Sequence, residues 1–111
     1  MLPENDLFEL HARICSTLAN PRRLMIINAL RNGETAVNEI AEAIGVPQAT
    51  VSRHLALMRN QGVLSARRSG QNVYYQITNS KIITAYELMH EVTLEYLESG
   101  TTLRRLVLER E

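Results

Sequence analysis

A single cysteine, Cys15, excludes an internal disulfide framework and any zinc cluster built only from the cysteines of one chain. No apolar run approaches the ~20 residues needed to span a bilayer. The opening stretch carries Glu4, Asp6 and Glu9 where a secretory signal would carry positive charge. A cytoplasmic setting without a membrane partner is therefore expected. There is also no glycine-rich phosphate loop, no paired carboxylates near a histidine in a plausible cleft and no nucleophile motif. Neither an enzyme nor a cofactor is expected. The sharpest absence is acidic charge: between Ala43 and Tyr86 there is no Asp or Glu.

That gap gives the charge balance its meaning. Over 111 residues, 12 Lys+Arg meet 12 Asp+Glu and the net charge is zero. The acid-free block nevertheless holds Arg53, Arg59, Arg67, Arg68 and Lys81, so it is strongly basic and the rest of the chain equally acidic. A domain polarised in this way offers a basic face to a polyanion, while its other side stays soluble through negative charge. With 45% apolar residues the chain can form one modest core, and residues 1–111 read as a single domain.

Periodicity orders the elements. Asn5–Leu18 reads as a first helix, with Leu7, Leu10, Ile14 and Leu18 at helical spacing and Cys15 beside that stripe. Asn20-Pro21 supplies an N-cap and a first-turn proline for a second helix through Leu24, Ile27 and Leu30. Thr35 or Ala36 opens a short third helix that Gly45 ends, and a fourth spans about Gln48–Asn60. Val63–Arg67 and Val73–Ile77 then alternate as two strands around the polar turn Ser69–Asn72. Thr78-Asn79-Ser80 caps a long helix through Glu98, with Ile82, Ala85, Leu88, Met89, Val92 and Tyr96 as its stripe. Thr101–Arg110 reads as a short last helix. The expected fold is mainly α within the α+β class: four helices, a β-hairpin wing, then one long and one short helix.

Residues 37–60 have the spacing of a helix-turn-helix. Ala41 is small where two helices cross, Gly45 permits the positive φ of the turn, and Val51 packs the second helix back on the first. The second helix then has a free face able to enter a major groove about 12 Å wide. That face carries Gln48, Thr50, Ser52 and Arg53, joined by Arg59 of the basic block. The hairpin over 63–77 makes the unit a winged helix, with Arg67, Arg68, Gln71 and Asn72 suited to backbone phosphates or a minor groove. Gly, Ser and Asn suit any hairpin, and arginines beside strands also protect edges. A winged helix used only for protein contact is the alternative, and it would have no need of a basic wing.

Three blocks, LANPRRLMIINAL, VNEIAEAIGVPQATVSRHLALMRNQGVL and RRSGQNVYYQI, resemble the ArsR/SmtB family of bacterial winged-helix repressors over about Ile14–Glu95. The resemblance implies a homodimeric repressor that binds a palindromic double-stranded DNA operator, usually its own, and is released by a chemical signal. It implies dimerisation through residues 1–19 and 79–110, and places His54, in Ser52-Arg53-His54-Leu55, in the core or against a phosphate.

The family's sensing patterns are missing. Where metal-responsive members read E-L-C-V-C-D-L, this chain has Ala36 and Asn38 at the cysteine positions. The four positions of the long-helix zinc pattern are Asn79, Lys81, Val92 and Glu95, so no metal site of either type is expected. Asn28 stands at the first cysteine of persulfide-responsive relatives. Cys15 remains, as a small buried residue of the dimerisation helix or as a thiol answering an oxidant. Glu87, His90 and Glu91 lie on one helix face, with His11 elsewhere. They form a solvated face or a non-standard zinc site across a dimer. The inducer stays open: a thiol signal, a small organic molecule, or none.

Overall fold

A computed structural model describes residues 3–100 together with Arg105, Leu108 and Glu109. The order is α1 (Glu4–Leu18), α2 (Pro21–Ala29), β1 (Thr35–Ala36), α3 (Val37–Ile44), α4 (Gln48–Asn60), β2 (Leu64–Ser69), β3 (Asn72–Ile77) and α5 (Ser80–Glu98). The expected last helix over 101–110 lies almost wholly outside the described residues.

Local signals set most boundaries. The Asn20 side chain accepts from the backbone N–H groups of Arg22 and Arg23, satisfying two donors that the start of α2 would otherwise leave open. Asn79 does the same for Lys81 at the start of α5. Gly45 ends α3 in the left-handed region, and the N–H groups of Gly45 and Val46 converge on the Ala41 carbonyl. Gly70 takes the positive φ of the two-residue turn between β2 and β3.

The core lies where α2, α3 and α4 meet the base of the hairpin. Ile26, Ile27 and Leu30 of α2 pack with Ile40 of α3 and with Val51, Leu55 and Met58 of α4. Val63, Leu64 and Ile77 close it from the sheet side. Leu55 and Val51 are fully buried, so they hold α4 by one face and leave the other outward.

One expectation needs correction. Thr35 does not open α3: Thr35 and Ala36 form a strand, with Ala36 at the same time the N-cap residue of α3. That strand pairs antiparallel with β3, Thr35 opposite Tyr75 and Ala36 opposite Tyr74. The sheet is therefore three-stranded, in the order β1-β3-β2. The partner strand lies nearly forty residues away, so the local pattern around Thr35 cannot reveal it. Cys15, on the helix assigned to dimerisation, is exposed in the single chain.

The apolar stripes of α1 and α5 also stay open. Leu7, Phe8, Leu10 and Ile14 on α1 are exposed, as are Leu88, Met89, Leu94 and Tyr96 on α5. Only the first turns of α5 dock, through Ile82, Ile83 and Tyr86. Among the described residues no helix is long and apolar enough to cross a membrane.

Candidate nucleic-acid interface

The site is built on the outward half of α4. At about 3.6 residues per turn, Val51, Leu55 and Met58 share the buried face, and the positions opposite them are Ala49, Arg53, Ala56 and Asn60. Arg53 thus projects from the centre of the free face between two exposed alanines, whose short side chains let the helix backbone approach a groove wall closely. Gln48, Ser52 and Arg59 line one flank of this face, all exposed. Thr50 and His54 line the other, half-buried. Arg53 Nη2 donates to Thr50 Oγ1 at 3.4 Å, a long contact that leaves the rest of the guanidinium unengaged by Thr50.

His54 sits among cations. Burial is the first reason its pKa lies below the usual 6.5, and Arg23, Arg22 and Arg53 push it further down. Arg22 and Arg23 belong to the first turn of α2 and extend the basic surface beyond the acid-free block. They lie outside the acid-free run in the sequence, so the charge pattern does not mark them. Their adjacency to His54 exists only once α2 packs near α4.

The wing divides its candidates. β2 and β3 pair from Leu64–Ile77 to Ser69–Asn72, so Arg67 lies opposite Tyr74 and Arg68 opposite Val73. Successive strand residues face opposite sides, and the two arginines therefore point apart. Arg68, Gln71 and Asn72 are exposed on the outer half of the hairpin. Arg67 is already occupied: its Nε donates to Glu34 Oε2 at 2.7 Å and its Nη2 to Glu34 Oε1 at 2.7 Å. Its guanidinium lies 4.9 Å from the centre of the Tyr74 ring. The hydrogen bonds from Arg67 hold the Glu34 carboxyl below its usual pKa.

The sensing candidates lie apart from this face. Cys15 lines a cleft of about 460 Å³ between α1, α2 and α5, walled by Leu18, Leu24, Ile27, Tyr86 and Met89. His90 stacks at a tilt on Tyr86, with ring centres 5.6 Å apart. Among the described residues of the single chain, no three His, Cys, Asp or Glu side chains come together as a metal site.

Comparison with known proteins agrees with this architecture. Residues 20–66 match the family described as bacterial regulatory protein, arsR family. The chain is 30% identical to the transcriptional activator HlyU of Vibrio cholerae over 79 residues, 71% of this chain and 73% of that protein. It is 36% identical to the nodulation protein NolR of Rhizobium meliloti over 75 residues, which are 68% of this chain but only 62% of NolR. A homodimeric winged helix-turn-helix DNA-binding domain from Mycobacterium bovis superimposes with a TM-score of 0.76 at 36% identity, covering 86% of this chain and 89% of that one.

Proposed function

Because the chain belongs to the arsR family of bacterial regulatory proteins, we propose that it is a cytoplasmic transcriptional regulator that binds double-stranded DNA as a homodimer. It acts as a repressor of its own operon on a palindromic operator, and it is not an enzyme. The observation that carries this reading is the free face of α4, with Arg53 at its centre between Ala49 and Ala56. A guanidinium can read the two acceptors of a guanine edge, and alanines tolerate close approach to bases. Gln48, Thr50, Ser52, His54 and Arg59 on the flanks supply further contacts, and Arg68, Gln71 and Asn72 bring the wing to the backbone.

Dimerisation is assigned to residues 1–19 and 79–110. The support is the row of exposed apolar side chains on α1 and α5, which a second copy would cover. Cys15, exposed on α1, is the site proposed for a thiol signal.

The test is fluorescence anisotropy on DNA from upstream of the gene and on random DNA, over a salt series. Arg53→Ala is expected to cost about 1–3 kcal/mol on the operator and less on random DNA. Arg68→Ala should lower the salt slope by about one phosphate contact on both. Adding a thiol oxidant, zinc or arsenite beside Cys15→Ala identifies the signal. Equal loss on operator and random DNA removes the base-reading role of Arg53. Absence of salt-sensitive binding to any DNA, including a random-sequence selection, turns the reading to a protein-contact module.

A further inference from the structure

We propose that Glu34 and Arg67 form a latch that fixes the wing to the body of the domain, so that Arg67 is a positioning residue for DNA binding and does not itself touch DNA. The proposal rests on the DNA-binding reading above. Glu34 immediately precedes β1, Arg67 lies on β2, and β3 runs between these strands. The fork-shaped pair therefore reaches across the middle strand, joining residues 33 apart in the chain. It passes over Tyr74 of β3, whose ring faces the guanidinium at 4.9 Å. One interaction thus ties all three strands together on one face.

The need for such a tie follows from the topology. β1 meets β3 through two residue pairs, Thr35–Tyr75 and Ala36–Tyr74, and the hairpin extends past them to Ser69 and Asn72. The outer hairpin carries no fully buried side chain. Its angle to α4 is therefore set by few contacts, and a planar bidentate pair restricts it more than a single point contact would. Two of the donors Arg67 could offer a phosphate are already committed to a carboxylate, whose negative charge also repels one. Arg68, on the opposite face, is free of that pair and remains the wing's phosphate contact. The hydrogen bonds from Arg67 favour the ionised form of Glu34, which is the form the pair requires.

Glu34→Gln, Arg67→Met, the double variant and the charge swap Glu34→Arg/Arg67→Glu separate positioning from contact. Two quantities are measured: amide hydrogen exchange of the β1–β3 ladder in the free protein, and DNA affinity over a salt series. Each single variant is expected to speed exchange and weaken operator binding by roughly two- to fivefold, with the salt slope unchanged. The double variant should be no worse than either single, and the swap should recover most of the loss. A salt slope lowered by about one in Arg67→Met, with tighter binding in Glu34→Gln, would overturn the proposal: Arg67 would then meet a phosphate and Glu34 would merely compete. Unchanged exchange in every variant overturns it whatever happens on DNA. Faster exchange in a protein whose wild type binds no DNA would instead leave the latch standing and condemn the DNA-binding reading.

Discussion

Replacing Gly45 by alanine isolates the conformational cost of the turn between α3 and α4. Gly45 has φ 69° and ψ 34°, in the left-handed region, where its N–H donates to the Ala41 carbonyl at 3.0 Å. A Cβ added there meets nothing within 4 Å, so steric conflict with neighbours contributes nothing. What remains is the strain of a left-handed L-residue, about 1–2 kcal/mol. It is partly offset by about 0.4–1 kcal/mol, because alanine also reduces the freedom of the unfolded chain. Gly45→Ala should therefore destabilise by about 1 kcal/mol, a fall in melting temperature of about 4–8 °C for a domain near 100 residues. Gly45→Asn should lose less, since asparagine enters this region more readily, and Gly45→Val should lose more. Urea unfolding at one fixed protomer concentration measures all three, the concentration being held because a dimer adds its own stability. Operator affinity well below the melting temperature should be unchanged, as the helix-turn-helix keeps its angle. Alanine at no cost would refute the strain argument. A loss above about 3 kcal/mol would show that the space around Gly45 is not open.

His54 has a folded pKa below 6.5, so as pH falls the unfolded chain takes up its proton first. Stability should thus drop as pH falls from 6.5 toward the folded value and then level off; denaturation midpoints from pH 8 to 5 should show this fall, and His54→Gln should flatten it. Phe8→Glu on α1 and Met89→Glu on α5 place charge on side chains that are 61% and 64% exposed in the single chain. Sedimentation should show each variant shifted from dimer to monomer with its helical circular dichroism intact, and a wild type that is itself monomeric would remove the assigned interface.

Much of the shape of α4, its turn and the hairpin is legible in the sequence, because its determinants are neighbours along the chain. The bounds of α4, the cap at Asn20, the break at Gly45 and the polar turn at Gly70-Gln71 each depend on residues within one or two turns of helix or strand. The placement of Arg53 outward follows from helical period once Val51 and Leu55 are taken as core. The three pattern blocks also pointed to the family that the comparisons show. Charge and a place on the hairpin make Arg67 a candidate for DNA contact, and neither reveals that its guanidinium meets Glu34, 33 residues away.

Periodicity, capping and local charge are short-range properties, and they alone set the helices, the hairpin, the helix-turn-helix and the polarity of the chain. Long-range packing set the rest: Thr35-Ala36 pairs as a strand, Arg67 meets Glu34, Arg22 and Arg23 come near His54, and Cys15 lines the cleft between α1, α2 and α5. Each of those depends on groups far apart in sequence, brought together only when the buried faces of α2, α3 and α4 close on one another. Burial of apolar side chains selects that arrangement without regard to which polar groups it makes neighbours.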